Sequence, residues 1–133
     1  TVFTLTEANL DFSIRAAIHN GIQDGEFYMD YQPQYDMDRR LIGAEALMRG
    51  DSPALGRVSP MRFIPVAEKS GLIAALGSFA LRESCRQCAA WRHSIDPEFR
   101  IAVNLSAAQF RNENLADEVA AATGEFGVRD ELE

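Results

Sequence analysis

An α/β fold with a largely parallel sheet is predicted here by three observations. Helical apolar patterns alternate with short strand-like runs, which is how parallel sheets are built. The first two strand candidates are joined by a link too short for a parallel crossover, so they form an antiparallel hairpin at the start. The third reads as a buried strand and carries a polar amide near its C-terminal end, before a helix cap.

The elements follow in order. Residues 6–20 read as an amphipathic helix, with Leu10, Ile14 and Ile18 four apart, Thr6 as N-cap and Asn20-Gly21 as its close. Residues 1–5 read as linker. Residues 27–35 are aromatic-rich and partly alternating and read as a strand, although Pro33 argues against a regular central ladder there. The polar segment 36–40 is a turn, and residues 41–49 form a second strand. Residues 50–58, with Gly50, Pro53 and Gly56, read as loop. Ser59-Pro60 opens a helix over about 60–69, with Ser as cap and Pro at the first position. A longer helix over about 72–92 carries a face through Leu76, Ala80, Leu81, Ser84, Cys88 and Trp91. Residues 100–105 are a buried strand, and Ser106 caps a helix reaching about Ala122, terminated by Gly124 and Gly127.

Composition narrows the function classes. The chain has 133 residues, 47% apolar and 25% charged, which excludes disordered and collagen-like classes and suggests one domain. A net charge of −7 makes it a poor general binder of DNA, RNA or anionic membrane surfaces. No apolar run approaches the ~18 residues of a membrane span. Cys85 and Cys88 form a lone CxxC inside a helix, which reads as reduced structural thiols. His19 and His93 read as ordinary residues.

Three polar residues carry the chemistry. Glu45 lies in the middle of an apolar strand, where a carboxylate is costly unless it is paired or coordinates a metal. It either pairs with Arg49 or another arginine, or it is a ligand. Asn104 ends a buried strand, where α/β folds place ligand-binding groups, and the alternative is a turn residue bonded to backbone. Gln32 precedes Pro33 and is either an edge residue or a neighbour of Glu45 across the hairpin. Together they offer oxygen donors suited to Mg²⁺ or Mn²⁺ rather than zinc, with Arg49 a fixed cation suited to phosphate.

These residues resemble the EAL domain family. Gly43-Ala44-Glu45-Ala46-Leu47-Met48-Arg49 carries the signature itself. Tyr31-Gln32-Pro33-Gln34, Ser59-Pro60 with Phe63-Ile64-Pro65-Val66-Ala67-Glu68, Gly71-Leu72-Ile73, Cys85-Arg86-Gln87 with Trp91, and Val103-Asn104-Leu105-Ser106 with Gln109-Phe110 follow in order. The resemblance spans about residues 8–133. It implies a TIM-like (β/α) barrel that hydrolyses the bacterial second messenger cyclic di-GMP to pGpG with Mg²⁺ or Mn²⁺. It implies Glu45 and Asn104 as metal ligands and Gln32, Leu47 and Arg49 as contacts to the dinucleotide, Arg49 through a phosphate. It also implies a bacterial cytoplasmic setting, with sensor, receiver or GGDEF domains and a membrane tether supplied by other parts of a parent protein.

Two departures qualify that picture. The family often has an aromatic directly after the Arg and a His two residues beyond it, where this chain has Gly50 and Ser52. A full barrel needs about 250 residues and eight strands, so 133 residues hold three strands and a fourth starting at Leu132-Glu133. The chain is then the N-terminal portion of a single EAL domain. The general base lies beyond residue 133, an isolated piece is expected to be inactive, and its open sheet edge favours self-association. The alternative is a catalytically dead EAL module acting as a cyclic di-GMP receptor or as a protein-interaction module.

Overall fold

A computed structural model describes residues 2–53, 55–104 and 114–128. The helices are α1 (Val2–Asp24), α2 (Pro60–Ser70), α3 (Ile73–Ser94) and α4 (Leu115–Phe126). The strands are β1 (Phe27–Tyr35), β2 (Leu41–Ser52), β3 (Gly56–Val58) and β4 (Arg100–Val103). The chain divides into two compact units that interleave in sequence: Thr1–Tyr28 with Met48–Leu76, and Met29–Leu47 with Gly77–Glu133.

In the first unit α1 packs on α2. Ile14 and Ile18 of α1 are buried, as are Phe63, Val66 and Ala67 of α2. Full burial of such aliphatic or aromatic side chains contributes about 1.5–3 kcal/mol each. Arg62 Nη2 meets Asp11 Oδ1 at 2.8 Å, but both side chains are half exposed, so the pair adds little. The start of α2 follows its sequence signal: Ser59 Oγ accepts from Met61 N at 3.3 Å, and Pro60 occupies the first turn.

Two expectations in this unit are corrected. α1 runs well past 6–20 at both ends, taking in residues 2–5 and leaving Thr6 inside the helix. At its other end Gly21 is a helical residue, and the Phe27 ring packs tightly on it: an added Cβ would sit 3.0 Å from Phe27 Cε2. Residues 50–58 are not a plain loop. β2 continues to Ser52 and pairs antiparallel with β3 through Gly50↔Val58, Asp51↔Arg57 and Ser52↔Gly56. Gly56 supplies the left-handed turn at φ 71, and Arg57 bridges Asp51 at 3.3 Å and Tyr28 Oη at 2.9 Å.

The second unit begins with the hairpin turn. Asp36 Oδ1 accepts from Asp38 N at 2.8 Å and Arg40 N at 2.9 Å, an Asx-type closure. β1 and β2 are hydrogen-bonded neighbours through it. β2 then pairs parallel with β4: Gly43↔Arg100, Ala44↔Ile101, Glu45↔Ala102 and Ala46↔Val103. Ala44, Ala46, Ile101 and Val103 are buried, as are Ala80, Leu81, Ser84, Cys85 and Cys88 on α3. Trp91 stands edge-on to Tyr31 at 4.9 Å and to Phe99 at 5.3 Å. Both cysteines are buried thiols, and Cys88 Sγ donates to the Phe99 carbonyl at 3.5 Å. Burial, then the neighbouring Cys88, pushes the Cys85 thiol up, which suits an inert structural role.

β4 is shorter than the expected 100–105, ending at Val103. Of the helix expected after Ser106, residues 105–113 lie outside the described residues, as does the strand expected at Leu132-Glu133. α4 passes through Gly124 and stops at Gly127, whose φ of 67 only glycine adopts readily.

Candidate functional site

The parallel pairing of β2 with β4 sets the site. Glu45 is opposite Ala102, so Asn104 lies two residues further along, at the C-terminal end of β4. Successive strand residues alternate faces, so 102 and 104 share one face. Asn104 Nδ2 donates to Glu45 Oε1 at 2.8 Å, across 59 residues of sequence. This is a charge-assisted hydrogen bond, stronger than a neutral one. Glu45 is half-buried and Asn104 exposed, so the carboxylate has a satisfied partner while the amide stays open to solvent.

The other predicted residues are placed as follows. Leu47, two residues past Glu45 on the same face of β2, is half-buried. Gln32 is exposed on β1. Arg49 belongs to the first unit, where it is half-buried and its Nη1 donates to the Met48 carbonyl at 3.1 Å. The structure therefore joins Glu45 to Asn104 by direct contact. Among the described residues no group of three or more His, Cys, Asp or Glu gathers to hold a metal ion. At the two departures from the expected motif, Gly50 faces the Phe27 ring, and Ser52 Oγ accepts from Leu55 N at 3.3 Å.

Tyr31 is a residue that sequence reasoning passed over. Its ring packs on Trp91, and its hydroxyl is buried without a hydrogen-bond partner among the described residues, as is that of Ser84. Burial first, and the Glu83 carboxylate second, push the phenol from 10.0 up to about 12. Ser84 pulls weakly the other way without a hydrogen bond of ordinary geometry. The available signal was an aromatic directly before Gln32, with a lone Trp on a helix face. The raised value favours the protonated phenol in the folded state. Its contribution to stability is full below pH 10 and is lost as pH rises through about 12. Tyr31→Phe should therefore flatten the fall of stability over that window. Urea titrations at stepped alkaline pH would show it, and an unchanged slope would refute it.

Comparison with known proteins now decides the family. The EAL domain model matches residues 15–132. The chain belongs to the EAL domain family. An uncharacterised protein of Mycobacterium tuberculosis (strain H37Rv) is 40% identical over 125 residues, covering 92% of this chain and 39% of that protein. The bifunctional diguanylate cyclase/cyclic di-GMP phosphodiesterase MucR of Pseudomonas aeruginosa is 38% identical over 103 residues, 77% of this chain and 15% of MucR. The solved structure of PaMucR phosphodiesterase in complex with c-di-GMP superposes at a TM-score of 0.82 with 34% identity, covering 87% of this chain and 47% of that one. This EAL chain thus spans well under half the length of these curated relatives. Its fold is the α/β, TIM-like barrel fold of EAL structures, with a partial sheet of four strands among the described residues. No described helix is long and apolar enough to cross a membrane.

Proposed function

We propose that this EAL chain is part of a phosphodiesterase domain that hydrolyses cyclic di-GMP to pGpG with Mg²⁺ or Mn²⁺. The observation that carries the reading is the Glu45–Asn104 contact at the C-terminal end of β4, the end of parallel strands where α/β folds bind ligands. The donor set suits a hard divalent cation: one carboxylate and one amide oxygen, without sulfur or imidazole. Glu45 through its carboxylate and Asn104 through its amide oxygen would hold such an ion. Bound there, it would polarise the phosphodiester and lower the pKa of water.

In this reading Glu45 and Asn104 hold the ion, and Gln32, Leu47 and Arg49 contact the dinucleotide. Arg49 takes a phosphate through its planar fork of donors. No general base is assigned to residues 1–133. The setting of this reading is the bacterial cytoplasm, with sensor, receiver or GGDEF domains and a membrane tether as other parts of a parent protein.

The test is incubation of the full-length protein with cyclic di-GMP and Mn²⁺, followed by chromatography. Formation of pGpG that stops on chelation supports the reading, and the 133-residue chain alone is expected to form none. Binding without pGpG would replace it with a second reading, a receptor that does not hydrolyse. That reading draws on Gly50 and Ser52, which stand where the family often has an aromatic and a His.

A further inference from the structure

The Phe27 ring is clamped in the first unit by two glycines and a second ring. A Cβ at Gly21 would lie 3.0 Å from Phe27 Cε2, and one at Gly50 would lie 2.8 Å from Cε1 and 3.1 Å from Cδ1. Real Cβ atoms essentially never approach as closely as at Gly50, and the approach at Gly21 is tight, so the ring occupies space that both glycines leave open. Phe63 meets it edge-on, with centroids 5.6 Å apart at 66°. Ile14, Ile18 and Val58 line the same apolar crevice. A glycine inside a helix costs roughly 1 kcal/mol relative to alanine, so Gly21 is expensive for α1 and is offset by what the ring gains.

This ring also acts on β2. The missing side chain of Gly50 points at Phe27, and neighbouring strand residues point to opposite faces. Phe27 therefore presses on β2 from the face opposite the Arg49 side chain, one residue away. On the other side of Gly50, Asp51 N donates to the Glu26 carbonyl at 3.2 Å. The backbone that carries Arg49 is thus fixed just beyond it by two contacts from consecutive residues, Glu26 and Phe27.

We infer that Phe27 is a positioning residue for Arg49, setting where the guanidinium meets a phosphate of the cyclic dinucleotide. The inference rests on the proposed function, since it needs Arg49 to bind that phosphate. Phe27→Leu keeps the apolar volume and loses the flat ring. Gly50→Ala keeps the ring and displaces it.

The experiment measures KM and kcat for cyclic di-GMP in the full-length protein, or Kd where it binds without turnover. The variants are Phe27→Leu, Gly50→Ala, Arg49→Ala and the Phe27→Leu/Arg49→Ala double. Both Phe27→Leu and Gly50→Ala are expected to raise KM roughly 3- to 10-fold with kcat within about twofold, because misplacing a binding group removes uniform binding. In the double variant the Phe27 substitution should add little to Arg49→Ala. A merely structural role would reduce the folded fraction, lowering apparent kcat and leaving KM unchanged. That pattern, or full additivity in the double variant, overturns the inference. If Arg49→Ala itself leaves KM unchanged, the phosphate role of Arg49 fails and the inference falls with it. If Arg49→Ala raises KM and neither Phe27→Leu nor Gly50→Ala does, only the inference fails.

Discussion

Glu45→Ala is expected to lower cyclic di-GMP turnover by the full-length protein by at least about 100-fold, while Arg49→Ala raises KM and largely spares kcat. The split follows from the role proposed for each side chain. Even residues that only support metal ligands cost about 10–100-fold when removed, and a carboxylate that holds the ion itself must cost no less. Glu45→Ala also strands Asn104, whose Nδ2 donates to Glu45 Oε1 at 2.8 Å, so the donor pair is lost as a unit. Excess Mn²⁺ should restore part of the activity. In the proposed function Arg49 instead contributes a cation to a phosphate that is charged in both ground and transition states. Its removal weakens binding of both and therefore appears mainly in KM. Steady-state kinetics across a Mn²⁺ titration separate the two. Equal effects on kcat at saturating metal and substrate would sink the assignment of distinct roles.

Residues of the site differ in how far their sequence neighbours reveal them. Glu45 and Asn104 stand out because each is polar at a place where an apolar residue is cheaper. Their mutual contact does not stand out, since it depends on the parallel register of β2 with β4, a pairing between distant segments. β3 escapes notice because it has only three residues, Gly56-Arg57-Val58, and borrows its order from β2. Gly21 reads as a helix stop for a sound local reason, its propensity, and that reason is overridden by a ring six positions away in sequence. Ser59-Pro60 is legible because a helix cap is a local signal, and local signals survive tertiary context best. Tyr31 is hidden for the opposite reason. Nothing in its sequence neighbours shows that Trp91 and Glu83 come to surround it.

Gly43→Ala should be among the most damaging single-methyl changes in the second unit. A Cβ at Gly43 would sit 2.5 Å from the carbonyl oxygen of Arg100 and 3.3 Å from its carbonyl carbon. Both are backbone atoms of the paired strand, since Gly43 and Arg100 are register partners. No rotamer change relieves this contact. The strands must separate or slip, and a one-residue slip sends every side chain of the strand to the other face. Overpacking typically costs about 1–3 kcal/mol, and a rigid backbone obstacle points to the top of that range. That is a large share of the roughly 5–15 kcal/mol that hold a domain together. The damage also reaches the site, because Glu45 lies two residues beyond Gly43 and Asn104 follows the paired end of β4. Gly124→Ala is the matched control. A Cβ there meets nothing within 4 Å among the described residues, so it should stabilise α4 by about 0.5–1 kcal/mol. Urea titrations of the two variants should move in opposite directions. A Gly43→Ala midpoint equal to that of the unmodified chain would mean that β2 and β4 are not held in this register. The Glu45–Asn104 contact would then lose its structural basis.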